Sequence, residues 1–151
     1  MSECSSTVLC DSSSLLCYYQ NVRGLCTKTR NFYLSSISAS HINLIALSET
    51  WLNDSVKGAE LFDLTRYNVF RKDRNYKSCN YTKGGGDLLA INRTIPVNVC
   101  DNFICDSICD ILPLIDFLIL KICLNFCDIY VLVVYMPPAC DSNDYIIVFD
   151  L

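Results

Sequence analysis

Two polar residues stand just past short apolar runs. Asn21 follows Leu15-Leu16-Cys17-Tyr18-Tyr19-Gln20, and Glu49 follows Ile42-Asn43-Leu44-Ile45-Ala46-Leu47 by way of Ser48. If the runs are neighbouring parallel strands, residues beyond their carboxyl ends lie in the crevice where ligands bind in open α/β sheets. A carboxylate beside a neutral amide oxygen makes a hard, oxygen-only partial site. Such a site suits Mg²⁺ (or Mn²⁺), which keeps several waters and completes its shell from substrate phosphate. Taken alone, a Glu after a strand serves equally as a helix cap or a surface residue. The pair acquires meaning only from the rest of the chain.

Charge is divided along the sequence. The net charge of −4 argues against nucleic acid as a partner, but eleven of the twelve basic residues fall between Arg23 and Arg93, against six acids. From Thr94 onward, eight aspartates face Lys121 alone. The densest basic piece is Arg71-Lys72-Asp73-Arg74-Asn75-Tyr76-Lys77, with Tyr81 and Lys83 following. Cations interleaved with aromatic rings can track a phosphate backbone while the rings stack on bases or sugars. A solvated loop has the same composition, and both readings stand.

The elements that must position these groups follow from periodicity. A strand is expected over Leu15 to Gln20, ended by a turn at Gly24. A helix fits Thr29 to about Ser40, where Phe32, Tyr33, Leu34 and Ile37 give an apolar face at three- and four-residue spacing. A second strand, Ile42 to Leu47, completes a βαβ unit and predicts parallel neighbours. Further strands are expected at Tyr67 to Arg71, Leu88 to Ile91, Phe117 to Leu124 and Ile129 to Tyr135. The fold class is therefore α/β. Gly84-Gly85-Gly86 precedes the strand at Leu88 and permits positive φ or a close backbone approach. It matches neither phosphate-cradling glycine motif, so a turn before a strand is the plainer reading.

Length and composition set limits. A chain of 151 residues with 52% hydrophobic side chains suits one domain that buries roughly 70% of its unfolded surface. Residues 1–14, rich in serine, read as a flexible leader, and 15–151 as a single domain. Disorder is excluded by the apolar content. The most apolar stretch, Ile111 to Tyr135, is interrupted by Asp116, Lys121, Asn125 and Asp128, so no membrane span is expected. With no basic start leading into an apolar core, no secretory signal is read and an intracellular, reducing location is expected. The eleven cysteines, odd in number and irregularly placed, then read as small buried apolar fillers rather than as a disulfide framework, and no disulfide-linked partner is expected. Cys105/Cys109 and Cys123/Cys127 have a helical metal-ligand spacing, but His41 is the single histidine and zinc is disfavoured.

Five blocks in order carry a resemblance: Tyr19-Gln20-Asn21-Val22-Arg23-Gly24-Leu25; Leu47-Ser48-Glu49-Thr50-Trp51-Leu52; Tyr67-Asn68-Val69-Phe70-Arg71-Lys72-Asp73-Arg74; Gly84-Gly85-Gly86 before a strand; and Val134-Tyr135-Met136-Pro137-Pro138. Over about Leu15 to Leu151 the chain resembles the apurinic-endonuclease-like domain of non-LTR (LINE, Jockey-type) retrotransposons, within the endonuclease/exonuclease/phosphatase superfamily. The resemblance implies a four-layer α/β sandwich, here truncated to its N-terminal part. It implies Mg²⁺-assisted hydrolysis of a DNA phosphodiester, in the nucleus, beside the reverse transcriptase domain of a full-length element. Carried over to this chain, Glu49 is the metal ligand and Asn21 stands beside it, orienting metal or phosphate. Tyr135 is the active-site tyrosine, whose hydroxyl can donate to a phosphate oxygen. Arg23, Arg71, Lys72, Arg74 and Lys77 are the expected DNA contacts.

The chain also departs from the family. Its G-D-F-N and S-D-H blocks, which supply the water-activating and phosphate-facing groups, do not occur in these 151 residues. Cleavage by this stretch alone is therefore expected to be poor, since residues that act as a unit fail together. A non-catalytic fragment with weak DNA binding, or a phosphatase of the same superfamily, are the alternatives. Asp87 replaces the apolar residue usual after the glycines, so a costly buried carboxylate is expected there. Asp101, Asp106, Asp110 and Asp116 look similarly relaxed. Exposed sheet edges and an apolar face are expected where the second half of such a domain would pack.

Overall fold

The computed structural model describes residues 14–38, 41–74, 84–99, 115–124, 127–138 and 140–149. The elements in chain order are β1 (Cys17–Asn21), α1 (Thr29–Ser38), β2 (Leu44–Ser48), a 3₁₀ turn (Gly58–Glu60), β3 (Tyr67–Lys72), β4 (Asp87–Asn92), β5 (Val97–Val99), β6 (Asp116–Cys123), β7 (Asp128–Tyr135) and α2 (Ser142–Phe149). The class is mixed α/β, as the sequence pattern predicts. The turn, β5 and α2 are additions to that prediction. All three are short, below the length at which periodicity separates an element from a loop.

Two sheets form. The first has the order β1-β2-β4-β3, with β1 and β2 parallel and the other pairs antiparallel; the second is an antiparallel β5-β6-β7 sheet. The expected βαβ unit is therefore present. β2 and β4 are central and buried on both faces, which accounts for their unbroken apolar runs. Leu44, Ala46, Leu89 and Ile91 point from the first sheet towards Leu120, Ile122 and Val133 of the second, and this is the core between the sheets. Ile45, Leu47, Leu88 and Ala90 point the other way and pack with Leu25, Leu52, Phe62 and Tyr67, with Phe32 of α1 laid against them. Behind the second sheet, Val148 of α2 meets Phe117.

β1 and β7 are edge strands. Every residue of β1 is exposed, including Tyr18 and Tyr19, and β7 exposes Tyr130 and Leu132. Between these edges lies an apolar groove of about 610 Å³, whose lining includes Tyr19, Ala46, Val133, Met136 and Val148.

One composition-based expectation is corrected. None of the five described cysteines is a buried filler: Cys17, Cys26 and Cys127 are exposed, Cys123 and Cys140 half-buried, and all five are free thiols. Cys17 lies on an edge strand, Cys26 in a turn, and Cys123 and Cys127 beside the β6–β7 connection, so local position overrides the burial preference of the residue type. Among the described residues no helix is long and apolar enough to cross a membrane.

Candidate functional site

Strand direction places the chemistry. β1 and β2 run parallel, with Asn21 opposite Ser48, so their carboxyl ends meet. β4 runs against both β2 and β3, so its first residue, Asp87, sits opposite Ser48 and Lys72 at the same end. In the second sheet, the first residue of β6 and the last of β7, Asp116 and Tyr135, form a register pair. One rim of the molecule thus collects Asn21, Glu49, Arg74, Asp87, Asp116 and Tyr135.

The Ser48-Glu49-Thr50-Trp51 segment is held on both sides by backbone bonds. Gly24 N–H donates to the Glu49 carbonyl and Leu25 N–H to that of Thr50, both at 2.8 Å. On the other flank, Thr50 N–H donates to the Gly86 carbonyl at 3.0 Å and Trp51 N–H to that of Gly85 at 3.1 Å. To meet both sides the backbone adopts φ of +54° at Glu49 and at Trp51, and +45° at Arg23. Non-glycine residues held there carry strain of order 1–3 kcal/mol each, and such strain concentrates at functional sites.

Within this frame, Asn21 Nδ2 donates to Glu49 Oε1 at 3.2 Å, while Asn21 Oδ1 accepts from Arg23 N–H at 3.3 Å. The Tyr135 phenol lies near the Glu49 carboxylate and feels its charge. Burial, then the negative charge of Glu49, hold the Tyr135 phenol above its ordinary pKa, so it stays a donor. Asn21, Glu49 and Tyr135, the three residues singled out as catalytic in sequence, are therefore brought together, Asn21 hydrogen-bonded to Glu49 and the Tyr135 phenol near the same carboxylate.

Beside them lies a second cluster. Arg74, 6% exposed, is paired through Nε with Asp116 Oδ2 at 3.2 Å, and its Cζ stands 5.3 Å from the Tyr135 ring centroid. Asp116 Oδ2 also accepts from Gly86 N–H at 2.9 Å. Asp87 is fully buried, and neither of its oxygens closes a hydrogen bond of normal geometry. Burial first, and then the charge of Asp116, push its carboxyl up to about 8; Arg74 and the Tyr135 backbone N–H oppose the shift only in part. Burial likewise raises Asp116, against the Gly86 N–H and the charges of Arg74 and Lys72. The glycines permit this crowding. A Cβ on Gly85, whose φ is +75°, would collide with Asp116 and lie 2.5 Å from Arg74 Nε.

Of the basic segment, the described residues 71–74 are engaged within the fold. Arg71 donates to the carbonyls of Val56 at 2.6 Å and Asn53 at 3.0 Å and is ion-paired with Asp73. Arg74 is inside, as above, and Lys72 is half-buried. Arg23 is exposed at the rim. Lys77, with Tyr76, Tyr81 and Lys83, lies outside the described residues, as do Asp101, Asp106 and Asp110. Asp116 is not a relaxed position: it is the partner of Arg74. Sequence reading identified Asp87 as a buried carboxylate but missed the pairing of Arg74 with Asp116. The available signal was weak: one arginine of a basic cluster just past β3 and one aspartate opening β6.

Compared with known proteins, the chain matches no protein-family model, and no curated protein is significantly similar to it.

The donor set fits a divalent cation in part. One carboxylate and one amide oxygen, both at the solvent-facing rim, match the sparse protein ligation that Mg²⁺ accepts when phosphate and water complete the shell. No group of three or more His, Cys, Asp or Glu able to hold a metal occurs among the described residues. Glu49 and Asn21 would hold the ion, which when bound stabilises charge on phosphoryl oxygens. In such a site Asn21 would orient Glu49 and the Tyr135 hydroxyl would be available as a donor.

Proposed function

We propose that these residues are the N-terminal part of a Mg²⁺-dependent DNA endonuclease domain of a non-LTR retrotransposon, built on the four-layer sandwich of the endonuclease/exonuclease/phosphatase superfamily. The observation that carries the reading is the convergence of Asn21, Glu49 and Tyr135, drawn from three motif blocks far apart in the chain, at one rim, with Asn21 hydrogen-bonded to Glu49 and the Tyr135 phenol close to that carboxylate. Two packed sheets, with α1 behind the first and α2 behind the second, support the sandwich. Strain at Glu49 and Trp51 supports a role for this loop beyond stability.

The assignment covers a half-site: a cation and a DNA phosphate are bound by Glu49, Asn21 and Tyr135, with Arg23 at the rim. Strand cleavage belongs to a chain that also carries the G-D-F-N and S-D-H blocks, in the nucleus and alongside a reverse transcriptase domain. The test has two parts. Mn²⁺ binding, followed by electron paramagnetic resonance as Mg²⁺ is added in competition, should be present in this chain and lost in Glu49→Ala. In a chain that includes the two further blocks, Glu49→Ala should lower plasmid nicking by about a hundredfold or more. Absence of Mn²⁺ binding, or equal binding by Glu49→Ala, overturns the reading. Release of inorganic phosphate from small phosphoesters would reassign the site to a phosphatase.

A further inference from the structure

Asp87 opens β4, fully buried and paired across the strands with Ser48 on one side and Lys72 on the other. Around it, the packed elements present a specific set of charges. From the end of β3 come Lys72 and Arg74, from β6 Asp116, and from β7 the Tyr135 backbone N–H. Glu49 acts on the same tyrosine from the loop after β2. The cation whose charge opposes the shift of Asp87, Arg74, is itself paired with another carboxylate: its Nε lies 3.2 Å from Asp116, and its guanidinium covers the Tyr135 ring.

We propose that Asp87 is a proton-controlled latch on Arg74: protonated, it leaves the guanidinium to Asp116 and the Tyr135 ring, and ionised, it competes with Asp116 for the same guanidinium and draws it off the ring. Arg74 and Asp116 are thereby positioning residues for Tyr135, and Asp87 sets whether they hold. In the step itself, the Asp87 carboxylic acid gives its proton to solvent as pH rises. Two carboxylates then share one arginine in a site with little water.

Three observations support the latch. A carboxylate with no hydrogen bond of normal geometry at zero exposure is the least tolerable form of the group, so the neutral acid is the resting form. The group titrates at about 8, close enough to neutrality for both forms to be populated in ordinary conditions. The neighbouring backbone leaves little slack: Gly85 gives room for Arg74 and Asp116 only because it has no Cβ.

The geometry of the latch stands on this cluster alone, while its consequence for phosphate chemistry rests on the function proposed above. The experiment therefore uses neither metal nor DNA. In the ¹⁵N-labelled full chain, the Arg74 Nε–H resonance is assigned by its loss in Arg74→Lys and followed from pH 6 to 9.5, together with the Gly86 amide that donates to Asp116. Both should show one shared inflection near pH 8, with the Tyr135 ring signals moving at the same pH. In Asp87→Asn the inflection should vanish. If that variant does not fold, ¹³C-carboxyl titration of the unaltered chain replaces it, and the Asp87 carboxyl must titrate at the pH where Arg74 moves. A flat Arg74 signal, an inflection that persists in Asp87→Asn, or an Asp87 carboxyl titrating near 4 overturns the latch. Loss of metal binding in a chain that still shows the inflection would overturn the nuclease reading and leave the latch standing.

Discussion

Asn21 Nδ2 donates to Glu49 Oε1 at 3.2 Å, joining the end of β1 to the loop after β2, and Tyr135 at the end of β7 in the second sheet brings its phenol near the same carboxylate. Glu49 thus has a hydrogen-bond partner in Asn21 and a phenol neighbour in Tyr135. A carboxylate held this way loses little rotamer freedom when it meets a cation, which is how a surrounding shell of hydrogen bonds tunes a metal ligand.

Removing one support should be visible without destroying the fold. Tyr135→Phe keeps the ring under Arg74 and deletes the hydroxyl. The expected outcome is a stability change within about 1 kcal/mol by urea unfolding, with Mn²⁺ affinity reduced about 10- to 100-fold. An unchanged affinity would mean that Tyr135 does not orient Glu49.

Backbone strain at Glu49 predicts an opposition between stability and function. With φ at +54°, glycine is the unstrained residue. Glu49→Gly should therefore be more stable than Glu49→Ala by about 1 kcal/mol, while both lose metal binding. Equal stability of the two variants would show that the loop relaxes.

The pH dependence of stability follows from Asp87. Its carboxyl is raised from 3.8 to about 8 in the fold, so between those values the folded state binds more protons than the unfolded one. Stability from this group is full below pH 4, falls as pH rises through that window, and is lost above about pH 8. The slope is at most about 1.4 kcal/mol per pH unit. Asp87→Asn removes the slope, so its thermal midpoint relative to the unaltered chain should climb steadily from pH 4 to 8 and then level off. A difference independent of pH would contradict the assignment.

Two glycines separate crowding from flexibility. A Cβ at Gly24 would lie 2.7 Å from the Trp51 ring at a φ of +92°, whereas at Gly58 the nearest atom is 3.8 Å away. Gly24→Ala should cost about 2–3 kcal/mol and shift the Trp51 fluorescence, since both strain and overpacking act there. Gly58→Ala should fall within about 0.5 kcal/mol of the unaltered chain. Similar losses at both positions would point to a general entropy effect instead.

The exposed edges predict self-association. Leu132 is 43% exposed on β7, an edge strand with unpaired backbone groups. Leu132→Lys should reduce light scattering on concentration while leaving the unfolding midpoint nearly unchanged, because a charge on an edge opposes strand-to-strand pairing at little cost to the fold. Undiminished scattering would place the sticky surface elsewhere.

What was legible in the sequence was what local pattern controls. The apolar runs of β2 and β4, the turn at Gly24 and the parallel pairing around α1 all follow from periodicity and short-range chemistry. Asn21 and Glu49 were legible because a parallel pair brings its carboxyl ends together. Asp87 was legible as a charge in an apolar strand. The Arg74–Asp116 pair was not, because the two residues come from different sheets and their meeting depends on how those sheets pack. The cysteines misled for the opposite reason: an average preference for burial yields to the particular strand edge or turn that each one occupies.

The rim draws one group from nearly every strand, from Asn21 at the end of β1 to Tyr135 at the end of β7. Almost all of its contacts span long stretches of chain: Asn21 to Glu49, Gly86 to Asp116, Arg74 to Asp116 and Tyr135. Contacts of high sequence separation form slowly, because their loops must close before any energy is returned. The βαβ unit can arise early from neighbouring segments, but the rim assembles only when the β6–β7 hairpin docks on the first sheet. In a kinetic experiment, protection of the Gly86 amide and quenching of Trp51 should therefore lag behind the bulk of secondary structure. The rim is then the last part of this fold to form.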